Sequence, residues 1–168
     1  VLAADLNGDG KSELVVQKLD WNNSGATHYT WKVLVIGPDG IIPQGWPKEV
    51  FFPNLSQLYA NAGGTGALRQ LVVADWNYDG LLDVIAIWPN IDSGVHARVF
   101  SANGVELGRI NFATSVLNDV RSPIVVDLDQ DGEVEYLVHV GNNLYAYSMG
   151  GGIKPGWPVA IDSSTSPY

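Results

Sequence analysis

The side chains best suited to chemistry are oxygen donors set at alternate positions in three short stretches. Asp5-Leu-Asn-Gly-Asp-Gly-Lys-Ser-Glu13, Asp75-Trp-Asn-Tyr-Asp-Gly-Leu-Leu-Asp83 and Asp127-Leu-Asp-Gln-Asp-Gly-Glu-Val-Glu135 align without gaps as D-x-[ND]-x-D-G-x-x-[DE]. Positions 1, 3 and 5 can turn their oxygens towards one centre: Asp5, Asn7 and Asp9; Asp75, Asn77 and Asp79; Asp127, Asp129 and Asp131. Position 6 is glycine each time, which permits a sharp bend. Position 7 would add a backbone carbonyl, from Lys11, Leu81 or Glu133, and position 9 returns an acid, Glu13, Asp83 or Glu135. Such sets suit a hard cation, since calcium takes about 6–8 oxygen ligands at ~2.3–2.6 Å. A plain Asp/Asn/Gly turn is the alternative for any one loop. Three loops at one internal spacing favour metal, because without it each would crowd three or four acids together at repulsive cost. An EF-hand begins the same way but carries its bidentate Glu at position 12. Here that position is Val16, Ala86 or Val138, and no helical pattern flanks the loops. Magnesium fits less well, since it favours few carboxylates and retained waters. The expectation is three Ca²⁺ sites that hold a fold together rather than perform a reaction.

The same acids account for most of the charge. The 168 residues carry 9 Lys+Arg against 18 Asp+Glu, a net charge of −9. The first two loops hold three acids each at positions 1, 3, 5 and 9 and the third holds four, ten of the 18. A chain so acidic offers no basic face for nucleic acid or for an anionic membrane surface. No run of ~20 apolar residues exists, so no membrane insertion by a helix is expected. Cysteine is absent, which excludes disulfides and thiolate metal sites. Catalysis is not expected. The histidines at 28, 96 and 139 stand in no metal-ligand spacing, His139 sits in an apolar run, and no GxSxG, P-loop or GxGxxG motif occurs. Ala62-Gly-Gly-Thr-Gly66 lacks the Lys-Ser/Thr of a phosphate loop.

The elements that must position the loops are short apolar runs. VLAA (1–4), LVVA (71–74) and IVV (124–126) precede the loops, and LVV (14–16), VIAIW (84–88) and YLVHV (136–140) follow them. Their Val and Ile content and turn-residue bounds predict strands. Nearly continuous apolarity predicts that both faces are covered. A second hairpin follows in each unit, within 31–42, 97–110 and 143–153, turning at Pro38-Asp39-Gly40, Asn103-Gly104 and Gly150-Gly151, with type I′ turns expected. Gly45-Trp46-Pro47 and Gly156-Trp157-Pro158 follow the second hairpins of units one and three, their tryptophans expected as wedges between neighbouring sheets. Unit two has Asn111-Phe112-Ala113 there. Four antiparallel strands per unit, repeating at ~50 residues, read as all-β propeller blades. The approximate blades are 1–66, 67–118 and 119–168 of a single segment.

The D-x-[ND]-x-D-G-x-x-[DE] loop, the strand after it and the G-W-P tract together resemble the FG-GAP/VCBS repeat family, whose repeats are similar to blades of the integrin α-subunit propeller. The resemblance covers essentially the whole chain and is closer to the VCBS branch, since no Phe-Gly…Gly-Ala-Pro tract stands out. It implies calcium in the loop between the first and second strands of each blade. Low calcium affinity, in the ~10⁻⁴–10⁻³ M range of extracellular modules, implies a secreted or cell-surface location. Asn22-Asn23-Ser24 and Asn54-Leu55-Ser56 are glycosylation sequons.

Three blades do not close a ring. The ends fall at blade boundaries and no signal peptide precedes them, so the expectation is an excerpt of a larger propeller. The alternative is self-association through open blade edges. A protein or carbohydrate ligand is expected on the face opposite the calcium loops, where loop lengths vary most: Leu19 to His28, Pro89 to His96, Gly141 to Asn143 and the Phe51–Gln70 connection. Trp21, His28, Tyr29, Tyr59, Trp88 and His96 are its contact candidates, against the alternative that each packs its own loop. The functional expectation is a noncatalytic calcium-stabilised extracellular binding or adhesion module, with a structural spacer or self-assembling unit and a lectin-like propeller as alternatives.

Overall fold

The structure is a computed structural model, and it describes residues 1–22, 28–52, 71–88, 96–112 and 120–161. Among these the chain is all-β with no helix, and its twelve strands form three four-stranded antiparallel sheets. The first sheet holds β1 (Leu2–Ala4), β2 (Glu13–Asn22), β3 (His28–Ile36) and β4 (Lys48–Phe52). The second holds β5 (Leu71–Ala74), β6 (Asp83–Trp88), β7 (His96–Phe100) and β8 (Glu106–Asn111). The third holds β9 (Val120–Val126), β10 (Glu135–Val140), β11 (Asn143–Tyr147) and β12 (Val159–Ala160). Each sheet is a meander, with neighbours in sequence paired in space.

Register places each acid loop in the same way. The last residue of the first strand pairs with the ninth loop position: Ala4 with Glu13, Ala74 with Asp83 and Val126 with Glu135. The loop is therefore the connection of the first hairpin, and its closing acid is the first residue of a strand whose neighbours are apolar. In the second and third sheets that strand is where burial is deepest, whereas in the first sheet it is β3, and β2 keeps only Glu13 and Val15 buried among its described residues. All six residues of β6 are buried, as are five of the six in β10, in line with their unbroken apolar sequence.

The second hairpins turn differently from the sequence expectation. Gly40 N–H donates to Gly37 O and Gly37 N–H donates to Ile41 O; Ser101–Val105 and Ser148–Gly152 repeat both bonds. Positive φ falls only on Gly40, Gly104 and Gly151, not on the residue before. These are three-residue loops ending in a left-handed glycine, the pattern of a type I turn with a glycine bulge rather than a type I′ turn. Pro38 could not have taken the positive φ that a type I′ turn needs. The fourth strands also shift. In units one and three the G-W-P tract, with Trp46–Pro47 and Trp157–Pro158 in cis, lies inside the second hairpin, and β4 and β12 begin after it. Strand β2 runs on to Asn22, through what the sequence suggested was loop from Leu19. Its outer half is held by Lys18–Asp20, Lys32–Asp20 and Lys32–Glu49 ion pairs at 2.7, 3.3 and 2.7 Å.

One apolar cluster joins the three sheets. Trp31 of β3 meets Trp88 of β6 edge-on at 4.5 Å. Trp46 wedges over the second sheet, 5.8 Å from Phe100, and its indole N–H donates to Ala102 O at 2.8 Å. Phe112 stacks on Tyr136 at 5.9 Å, and so joins the second sheet to the third. Trp157, the second G-W-P tryptophan, is half-buried in the third sheet. Leu14 is 43% exposed although its counterpart Val84 is fully buried, and Leu128 is 41% exposed although Leu6 and Trp76 are buried. The outer faces of the first and third sheets therefore leave apolar side chains in solvent.

Candidate functional site

In each loop the first-position carboxylate shapes the backbone. Asp5, Asp75 and Asp127 accept the position-6 amide, from Gly10, Gly80 and Gly132, at 2.8, 2.9 and 3.1 Å. Asp5 and Asp75 also accept the position-5 amide, each at 3.1 Å. The fifth-position carboxylate accepts the position-7 amide: Asp9 from Lys11 at 2.9 Å, Asp79 from Leu81 at 2.9 Å and Asp131 from Glu133 at 2.8 Å. These bonds are why aspartate recurs, since a short side chain can reach its own backbone a few residues on. Glycine at position 6 has φ of 83°, 86° and 91°. Position 4 is left-handed too, with φ of 76° at Gly8 and 59° at both Tyr78 and Gln130. The D-x-[ND] spacing does not reveal that second left-handed residue.

The ninth-position acid ties the loop to the core. Glu13, Asp83 and Glu135 are buried, and each accepts the amide of position 2, from Leu6, Trp76 and Leu128, at 2.9, 3.0 and 2.8 Å. Burial pushes the Asp83 carboxyl up to about 6. The Trp76 amide opposes this, and Asp79 and Asp75 push it further. One oxygen of each ninth-position acid is thus committed to the backbone, and the second oxygen of Glu13 accepts from Asn7 Nδ2 at 3.5 Å while that of Glu135 faces Lys154.

Among the described residues only the third loop brings three carboxylates close enough together to hold a hard divalent ion; Asp5, Asp9 and Glu13, and Asp75, Asp79 and Asp83, are not gathered so tightly. Asp127, Asp129 and Glu135 bring carboxylate oxygens within 4.8 Å of one another. Asp127 Oδ1 is buried and finds no hydrogen-bond partner among the described residues, which is costly unless a cation or water meets it. Loops one and two have Asn7 and Asn77 at position 3, so each presents three carboxylates. A cleft beside loop one is lined by Asn7, Asp9, Lys11, Glu13 and Pro43, and another beside loop two by Asp79, Leu81 and Asp83.

The third loop differs in holding a cation from the protein itself. Lys154 Nζ lies 2.8 Å from Glu135 Oε1, 3.0 Å from Asp129 Oδ2 and 3.5 Å from Asp131 Oδ2. Glu135 and Asp129 hold the ammonium well above the ordinary lysine range, and Lys154 in turn lowers Asp129. Nothing in the sequence around Asp127–Glu135 indicates this residue, which arrives from the second hairpin. The loops also touch one another. The Val134 amide donates to the Tyr78 hydroxyl, and a β-carbon on Gly8 would stand 3.2 Å from Leu81 Cδ2.

The partner-face candidates scatter. Trp21 is 64% exposed, and it pairs across the sheet with half-buried Tyr29. His28 is half-buried with its ring 5.3 Å from Phe51. Trp88 and His96 are buried. Trp88 packs between Trp31 and Phe100 beneath the Arg98 guanidinium, 4.6 Å from its ring, and His96 Nε2 accepts from Arg98 Nε at 3.3 Å. Side chains so enclosed offer a partner no contact area. Tyr59 lies outside the described residues. Compared with protein-family models, curated proteins and solved structures, the chain matches none.

Proposed function

We propose that this chain is a calcium-stabilised β-propeller segment of a secreted or cell-surface binding module, without catalytic activity, of the kind the FG-GAP/VCBS resemblance implies. One observation carries the reading. Three hairpin connections share an aspartate-wrapped backbone and close on a buried acid bonded to the position-2 amide. In each loop the side chains of positions 1, 3, 5 and 9, with the position-7 carbonyl, would hold Ca²⁺: Asp5, Asn7, Asp9, Lys11 and Glu13; Asp75, Asn77, Asp79, Leu81 and Asp83; Asp127, Asp129, Asp131, Glu133 and Glu135. The ion would neutralise acids that the fold crowds together between its two inner strands, and so would tie the first hairpin of each sheet to the core. Exposed Trp21 is the residue this reading assigns to a protein or carbohydrate ligand.

Thermal melts of the chain in millimolar calcium and in EDTA test the proposal. Binding to the native state alone raises stability by RT ln(1 + [Ca²⁺]/Kd), about 1.4 kcal/mol per site at ten times Kd, so a rise in melting temperature is expected. Identical midpoints would remove the metal role. A second reading, a structural unit that assembles through its faces, is favoured by the exposure of Leu14, Ile124 and Leu128. Light scattering decides between the two, since a monomer at all concentrations excludes assembly of copies.

A further inference from the structure

The second hairpins superpose in sequence through their bonds. Gly37 with Ile41, Ser101 with Val105 and Ser148 with Gly152 make the same loop closure, and the residue two further on is Pro43, Leu107 or Lys154. The Trp46 amide donates to Pro43 O and the Trp157 amide to Lys154 O, each at 3.2 Å, which fixes the equivalence of 43 and 154. Pro43 borders the open cleft beside loop one. At the same place in unit three the lysine side chain reaches into the loop. Its ammonium is within 3.5 Å of oxygens from positions 3, 5 and 9, three of the four side chains that would ligate an ion.

The geometry points to Lys154 as the resident counterion of loop three, an internal competitor that a divalent ion must displace. The inference deepens the calcium reading and rests on it for the displacement step. A cation ~2.3–2.6 Å from the same oxygens would stand within a few ångströms of the ammonium, so the two charges exclude each other. Loops one and two carry Pro43 and Leu107 at that place, and among the described residues no lysine or arginine pairs with their acids. The three loops are therefore unequal. Two would meet an added ion unopposed, and the third, where Lys154 offsets one of four carboxylates and occupies the space between them, takes metal last.

Calorimetric titration of the whole chain with CaCl₂, and melts in EDTA, test this on wild type, Lys154→Met, Lys154→Arg and the control Arg109→Met, which removes a surface charge paired with Glu106 away from the loops. Wild type is expected to show two tighter equivalents and a third weaker one. Lys154→Met should tighten the third by about tenfold or more, the scale of one released charge contact. In EDTA, Lys154→Met should melt below wild type, while Lys154→Arg, which keeps the charge, and Arg109→Met should not. Rescue of Lys154→Met by calcium would be the same result in stronger form. Three equal equivalents in wild type, unchanged by Lys154→Met, overturn the inference. If no variant binds calcium, the metal reading fails by itself. The EDTA melts then still decide whether Lys154 neutralises the loop, and an unaltered midpoint for Lys154→Met rejects it.

Discussion

Replacing Asp83 by Asn should have opposite effects with and without metal. Asp83 is 1% exposed, and burial raises its carboxyl from an ordinary 3.8 to about 6. Because the folded-state value is the higher one, the native protein holds this proton more tightly than the unfolded chain. The associated stability is fully present below about 3.8 and is lost as pH rises through about 6. At pH 7 without metal the charged carboxylate costs the fold about 3 kcal/mol, taking roughly 1.36 kcal/mol per pH unit. Asparagine is neutral, similar in shape, and can still accept the Trp76 amide, so most of that cost disappears. For a chain of this size 1 kcal/mol moves the midpoint by roughly 2–4 °C, so Asp83→Asn should melt up to about 10 °C above wild type in EDTA at pH 7. At pH 4 the gap should close. In saturating calcium the order should reverse, since the substitution removes a ligand charge. Circular-dichroism melts in the three conditions read all of this. A variant that melts at or below wild type in EDTA at pH 7 would show that the buried carboxylate is not a burden awaiting a cation.

Other consequences follow from the packing between sheets. Trp46→Ala should cost about 3–5 kcal/mol for the lost ring, and Trp46→Phe should recover all but roughly 1 kcal/mol, the bond to Ala102 O; urea titrations measure both. Gly45→Ala should prevent the first and second sheets from closing, because its β-carbon would collide with the Asn103 carbonyl oxygen at a φ of 92°. Gly10→Ala meets no atom within 4 Å but has a φ of 83°, so it should cost only about 1–2 kcal/mol; comparing the two melts separates clash from strain. Tyr78→Phe should speed amide exchange at Val134 without altering the fold, and an unchanged exchange rate would deny the link between loops two and three.

The loops were legible because their physics is local. An aspartate that bonds its own backbone, a glycine at the bend and an acid opening the next strand all lie within nine residues. The inner strands β6 and β10 were legible for a related reason, since VIAIW and YLVHV are covered on both faces; the equally apolar runs at 14–16 and 124–126 are not, and leave Leu14, Ile124 and Val126 exposed. What depends on distant neighbours was not. The fourth strands begin only after the G-W-P tracts, because Trp46 first reaches across to Ala102 of the next sheet. Strand β2 extends past Leu19 because Lys18, Asp20 and Lys32 pair on its outer face, so a polar stretch that reads as loop is instead a ladder. Trp88 and His96 look like loop aromatics from their sequence neighbours, yet Trp31 and Arg98 enclose them. Lys154 is 19 residues beyond Glu135, and only the fold carries it into the third loop.

The central claim is that these loops are calcium sites, and direct titration of the metal-free chain with CaCl₂ tests it most simply. The account predicts saturable binding with at least two equivalents per chain. It also predicts that one equivalent is lost in Asp5→Asn/Asp9→Asn and another in Asp75→Asn/Asp79→Asn. Absence of saturable binding at millimolar calcium, or a stoichiometry that neither double variant lowers, would contradict it.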